Sequence, residues 1–188
     1  MADMRLMTLR LTDGRPVLIR ALGPTDRSIL AEGIRRLSAG SRLARFLHDR
    51  RSFSDPELDY LTQPDQVSHI AFLALICDGG RWMPAGVGRA VRLRPSSCVA
   101  EVALAVVDAY QRLGLGRCLL KKLATHAASV GITQFQAIYR SENAAVERWV
   151  MRSGGIAKND DGSRVALVTV DRIICDPDHP SPPLPDVR

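Results

Sequence analysis

At 188 residues, with 46% hydrophobic and 24% charged residues, the chain is long enough to bury one sizeable core and has the composition of a single globular domain. No apolar run approaches the roughly 20 residues that a membrane-spanning helix needs, and the opening MADMRLMTLR lacks the order of a signal peptide, so a cytoplasmic protein is expected. The net charge of +6 comes from arginine rather than lysine, and its densest stretch, IRRLSAGSRLARFLHDRR, offers neither stacking aromatics nor a recognition helix, which argues against nucleic acid and for a solvated helical surface, with docking of an acidic partner or a phosphate as the alternative.

In chain order, LMTLRLTDGRPVLIRAL reads as two strands joined at Asp13-Gly14, because a D-G pair between apolar segments signals a hairpin. GPTDRSILAEGIRRLS reads as a helix capped by Thr25 or Asp26, with Ile29, Leu30, Ile34 and Leu37 at helical spacing. SFSDPELDYLTQ opens a second, short helix with Pro56 in its first turn and Leu58 and Leu61 on one side. HIAFLALICDGG, MPAGVGRAVRLR and CVAEVALAVVDAY follow as three strands. Leu115 to Val130 then forms a helix with Leu119, Leu120, Leu123, Ala124, Ala127 and Ala128 on one stripe and Lys121, Lys122 and Thr125 opposite.

TQFQAIYR is a strand, SENAAVERWVMRSGG a helix and RVALVTVDRII a last strand. CDPDHPSPPLPDVR holds five prolines in fourteen residues and is expected to be a mobile tail, residues 175–188, behind one domain over residues 1–174. The order of elements predicts an α+β fold around one mixed, mostly antiparallel sheet flanked by helices. Cys77, Cys98, Cys118 and Cys175 are far apart with no C-x-x-C pair, so reduced, mostly buried thiols are expected, with no zinc or other metal site.

The chemistry concentrates in AYQRLGLGRCLLKKLA, residues 109–124. A dinucleotide fingerprint fails because its third glycine falls on Leu119, and a triphosphate loop fails because Gly116 is followed by Arg117 and Cys118. What stands is a strand ending near Val107, a turn, and a helix starting among glycines. Its unpaired N–H groups and positive dipole end suit a pyrophosphate, and a plain tight turn is the alternative.

Gln111-Arg112-Leu113-Gly114-Leu115-Gly116 matches the Q/R-x-x-G-x-G/A signature, and the chain resembles the GNAT superfamily of acyl-CoA-dependent N-acetyltransferases. Val106 five residues before Gln111, Glu101 further back and Asn143 opening the next helix extend the match. More narrowly, RRLSAGSRLARFL and LDYLTQPDQ ahead of AEVALAVVDAYQ resemble the acetyltransferase domain of bacterial protein lysine acetyltransferases, the group that modifies acyl-CoA synthetases. The resemblance implies a GNAT fold, acetyl-CoA as co-substrate, and an amine acceptor such as a protein lysine on an acyl-CoA synthetase. It also implies a cofactor site of Val106, Val107, Gln111, Arg112, Leu113, Gly114, Leu115, Gly116, Arg117, Cys118 and Asn143.

Two positions depart from the family pattern. Relatives often carry Gly and then Arg or Lys where this chain has Arg112 and Leu113, so Arg112 or Arg117 would supply the cation near the pyrophosphate. Many also use a tyrosine as general acid seven residues after the helix-opening Asn. Here that position is Val150, as is common in the lysine-modifying group.

Glu101 is the candidate general base. On a strand it shares a side with Ala103, Ala105 and Val107, where burial would raise its pKa, and a surface glutamate in a salt bridge is the alternative reading. The Val106 N–H is the expected donor to the thioester oxygen, and Asn143 either binds the pantetheine arm or caps its helix. Cys98 and Cys118 raise a covalent route but lack a partner histidine in sequence, His69 either lines the acceptor groove or packs beside a strand, and His48 and His126 belong to no constellation. A small-molecule N-acetyltransferase and a non-catalytic CoA-binding module are the other functional readings.

Overall fold

The structure, a computed structural model, describes residues 6–176, so most of the expected tail lies outside the described residues. Alternating apolar residues build β1 (Met7–Arg10) and β2 (Pro16–Ala21), which meet at the expected hairpin, where Gly14 takes φ +84°. Three helices follow: α1 (Arg27–Arg35), α2 (Ala39–Phe46) and α3 (Asp55–Thr62). The long strands β3 (His69–Asp78), β4 (Arg81–Arg92) and β5 (Val99–Val106) form the centre, then α4 (Leu115–Ser129), β6 (Gln134–Arg140) and α5 (Ala144–Arg152). The described chain closes with β7 (Ile156–Asp160), β8 (Ser163–Thr169) and α6 (Val170–Ile174). The eight strands lie in the order β1-β2-β3-β4-β5-β6-β8-β7, antiparallel except for β5 beside β6.

One face of the sheet carries Ile70, Phe72, Ala74 and Ile76 of β3 with Ala90 and Val102, and packs against Leu119 and Leu123 of α4. That approach is close enough to require glycine: a Cβ on Gly88 would stand 2.8 Å from Leu123 Cδ1. The opposite face carries Ala71, Leu73 and Leu75 of β3 with Val87 and packs against Leu18, Leu22 and Ile29. Residues 101, 103 and 105 of β5 belong to this second face, because side chains alternate along a strand and Ala103 and Ala105 stand opposite Arg89 and Val87.

Four local expectations change. Asp26 does not cap α1; it is buried and accepts both Arg20 guanidinium nitrogens at 2.7 Å and the Gly23 N–H at 2.9 Å. The β7–β8 hairpin was not anticipated, although its turn is another D-G pair, with Asp161 at φ +38° and Gly162 at φ +79°. VDRII leaves the last strand and forms α6. On α4, Lys122 is buried rather than outward, its ammonium 5.5 Å from the Phe72 ring centroid, while Ala128 is exposed.

The arginine-rich stretch is largely consumed by internal pairing. Arg42 reaches Asp49 at 2.6 Å, Arg50 pairs with Glu57, Arg51 reaches Asp49 at 3.0 Å, and Arg36 lies 3.9 Å from Glu32. Of the cysteines, Cys77 and Cys118 are half-buried and Cys98 and Cys175 exposed, fewer buried thiols than expected.

Candidate active site

β5 and β6 pair in parallel through only three residues, Val99 with Gln134, Ala100 with Phe135 and Glu101 with Gln136. Beyond Glu101 the strands part, β5 staying with β4 and β6 with β8. The gap widens into a cleft of about 510 Å³ lined by Glu101 to Val106 on one side and by Ala137, Ile138, Tyr139, Asn143, Val146 and Trp149 on the other, with α2 across its mouth. The backbone of β5 faces into it. Val107 donates its N–H to Ala85 O at 2.9 Å, so the alternation of a strand turns the Val106 N–H and C=O away from β4 and into the gap. Val107 itself is spent, its N–H bonded in the sheet and its side chain buried.

Past Val106, at the parted end of the gap, the chain turns into α4. Gly114 is the N-cap, with φ +88° and no side-chain cap, which leaves the N–H groups of the first helical turn open at the positive end of a 15-residue helix. A Cβ on Gly116 would meet nothing nearer than Val106 Cγ2 at 3.9 Å, and one on Gly114 nothing within 4 Å. The second glycine is therefore not demanded by packing, and the bare backbone fits the approach of an anion such as a diphosphate. Arg112 adopts φ +61°, the left-handed conformation natural to glycine. Its side chain is exposed, Leu113 is half-buried and Leu115 belongs to the core. Arg117 lies at the same helix end, 3.9 Å from Asp176.

Gln111 works as a clamp. Its Nε2 donates to Val106 O and to Ser41 Oγ, both at 3.0 Å, tying the end of β5 to α2. Asp108 strengthens the tie, accepting the Ser38 N–H at 2.8 Å, Ser38 Oγ at 2.7 Å and Ser41 Oγ at 2.8 Å. Burial pushes the Asp108 carboxyl up, but these bonds outweigh it and hold the group below the usual carboxylate range. Asn143 caps α5, its Oδ1 accepting the Val146 N–H at 3.3 Å, while also lining the cleft.

Glu101 is exposed at the mouth of the cleft, so the condition of burial attached to it is not met. It makes no ion pair among the described residues, and its carboxylate favours the charge on Arg45, which burial opposes. Val150 is fully buried and supplies no hydroxyl. Tyr139, also on the cleft, donates its hydroxyl to Glu147 at 2.6 Å, and burial with that carboxylate pushes it up to about 12, away from easy proton release. Burial raises the Cys118 thiol against the pull of Lys121 and Arg117, which disfavours a thiolate there. Among the described residues no three His, Cys, Asp or Glu side chains gather as a metal site, and no helix is long and apolar enough to cross a membrane. Cleft residues that sequence reasoning missed include Arg45, Phe46, Tyr139 and Trp149; none belongs to the glycine signature, although Arg45 and Phe46 fall within RRLSAGSRLARFL.

The family model described as "Acetyltransferase (GNAT) family" matches residues 41–154, which includes β5, the glycine turn and α4. The chain belongs to the GNAT acetyltransferase family. This GNAT domain is 33% identical over 159 residues to Acetyltransferase PA5475 of Pseudomonas aeruginosa, covering 84% of each chain. Its fold is similar to the GNAT domain of S. lividans PAT, with a TM-score of 0.79 at 24% identity over 87% of this chain and 96% of that one. It is also similar in fold to yncA, a putative acetyltransferase from Salmonella typhimurium solved with its cofactor acetyl-CoA, with a TM-score of 0.62 at 20% identity over 81% and 92% of the two chains. GNAT acetyltransferases draw on acetyl-CoA, and the uncapped α4 terminus with its two glycines suits that co-substrate.

Proposed function

We propose that this GNAT domain moves the acetyl group of acetyl-CoA to the side-chain amine of a lysine in a protein acceptor, with Glu101 as general base. The observation that carries the protein acceptor is the openness of the Glu101 face. The register runs from Glu101 to Gln136, Leu167 and Ile156, and on this side Ile138, Leu167 and Ile156 are 37%, 42% and 74% exposed. A small amine needs a pocket closed around it to gain binding energy; a polypeptide can lie across an open, partly apolar sheet face.

When bound, acetyl-CoA supplies a thioester whose carbonyl carbon is open to attack by an amine. The N–H groups leading into and opening α4, from Leu113 to Arg117, would hold the diphosphate, the Cys118 N–H being spent on Gly114 O at 3.1 Å, and the Val106 N–H, turned into the gap, would donate to the thioester oxygen. A lysine amine with a reference pKa near 10.4 is free base in only about one molecule in 10³ to 10⁴ at pH 7, a handicap of roughly 4 to 5 kcal/mol. Glu101, exposed and unpaired at the cleft mouth, takes that proton directly or through one water.

The test is labelled acetyl transfer from acetyl-CoA to host proteins, read by mass spectrometry, with CoA release followed for the parent and Glu101→Gln. Acetyl-lysine should accumulate with the parent, and Glu101→Gln should slow turnover by about 10² or more while CoA affinity stays nearly unchanged. Equal rates would remove Glu101 from its role. Transfer confined to free small amines, or CoA binding with no turnover, would overturn the protein acceptor.

A further inference from the structure

A second chamber opens beside the cleft, between α1, α2 and the β4–β5 face. It measures about 70 Å³, and its walls are mostly apolar, from Ile34, Leu61 and Val87 among others. Leu37, Arg45, Phe46, Ala103 and Ala105 line both spaces, so the chamber is a side pocket of the site that holds Glu101. Two guanidinium groups line it.

Arg89, 6% exposed, projects from the middle of β4 and gives Nη2 to Leu61 O at 2.9 Å and Nη1 to His69 Nε2. His69 stacks on Tyr60 with ring centroids 4.9 Å apart, and burial with the Arg89 charge lowers it to about 4, so it is a neutral acceptor at pH 7. Arg45 lies 4.8 Å from the Phe46 ring centroid. Among the described residues no carboxylate comes within 4.0 Å of either guanidinium, whereas Arg20, Arg27, Arg42, Arg50 and Arg164 each pair with one. Glu101 supports Arg45 from the cleft without lining the chamber. Arg89 is a buried cation met by a neutral imidazole and a carbonyl, Arg45 adds a half-buried one whose supporting carboxylate, Glu101, lies beyond ion-pair distance, and two guanidinium groups beside apolar walls match a carboxylate on an aliphatic stem.

We infer that this chamber is a subsite for a carboxylate on a short apolar stem, bound by Arg45 and Arg89 beside the reacting amine. The inference rests on the cleft being the acceptor site. Such a carboxylate belongs either to an acidic side chain next to the target lysine or to a free short-chain acid.

Titration of the full chain with butyrate and with butyramide, its uncharged counterpart of the same shape, followed by amide chemical shifts, reads the chamber without any acetyl transfer. Butyrate should bind at least tenfold more tightly than butyramide. Arg45→Met should weaken butyrate at least tenfold while leaving the Tm of the ligand-free protein equal or higher, because it removes a desolvated cation that has no carboxylate within ion-pair distance among the described residues. Equal binding of the two probes overturns the inference, as does an Arg45→Met protein that melts earlier yet binds butyrate unchanged, which would make Arg45 purely structural.

A second arm compares lysine peptides carrying Glu or Gln beside the lysine. A KM about tenfold lower for the Glu peptide, erased in Arg45→Met, assigns the carboxylate to the acceptor, and equal KM values with selective butyrate binding assign it to a free acid. Selective butyrate binding with no peptide acetylated sinks the protein-acceptor reading and leaves the chamber standing.

Discussion

A histidine that stays neutral is what allows a buried guanidinium to remain beside it, and His69 therefore ties folding to pH. Its folded pKa of about 4 lies below its ordinary 6.5, held there by burial and by Arg89 against the opposing pull of Asp65. Between those values the unfolded chain binds the extra proton and the folded one does not, so stability rises with pH across the interval. The contribution is complete above about pH 6.5 and is lost as pH falls through 4, on the order of 3–4 kcal/mol in all at about 1.4 kcal/mol per unit. Urea unfolding at pH 7 and pH 4.5 should show most of that loss in the parent and a flatter dependence in His69→Gln; parallel slopes would show that His69 is not the titrating group. At this scale the sequence marks Gly114, Gly116 and Glu101, because a signature spaces them. Arg45 and Arg89 carry no such mark, since only the fold brings a residue of α2 and one of β4 to the same chamber.

At the scale of elements, the start of α4 has two demands that can be separated. Gly116 has open space where a Cβ would go, and alanine favours a helix over glycine by up to about 1 kcal/mol. Gly116→Ala should leave the unfolding midpoint unchanged or raised, yet weaken CoA at least tenfold in calorimetry, because its methyl would stand where the proposed site brings the diphosphate to the backbone. Loss of stability with intact CoA binding would reverse the assignment.

The tie between α2 and the β5–α4 turn makes a different prediction. Asp108→Ala removes three hydrogen bonds from a solvent-accessible carboxylate, and should cost about 1 kcal/mol in denaturant unfolding. It should also raise the KM for acceptor while the Kd for CoA holds, since α2 roofs the acceptor side. A change confined to CoA affinity would place the tie on the wrong substrate. The Ser38 and Asp108 partnership was invisible in sequence, as 70 residues separate its members.

For the whole molecule, the alternating and helical periodicities were enough for the order of strands and helices, because each element buries one stripe and the stripes are written locally. α4 ends within one residue of its expected boundary, and the central strands fall where apolar runs place them. The misses share a cause. β7, IAKND, is a polar edge strand with little to bury, and α6 is five residues whose apolar character also suits a strand. The parting of β5 from β6, which makes the site, depends on pairing partners far apart in sequence and leaves no local trace.

The proposed chemistry depends on that parting, with the diphosphate of acetyl-CoA at the α4 terminus and its thioester beside Glu101. The most direct measurement is a crystal structure of the full chain with acetyl-CoA. It should show diphosphate oxygens within hydrogen-bond distance of N–H groups between Arg112 and Cys118, and the thioester oxygen on the Val106 N–H. A cofactor lying outside the β5–β6 gap, or one whose diphosphate avoids the first turn of α4, would contradict it.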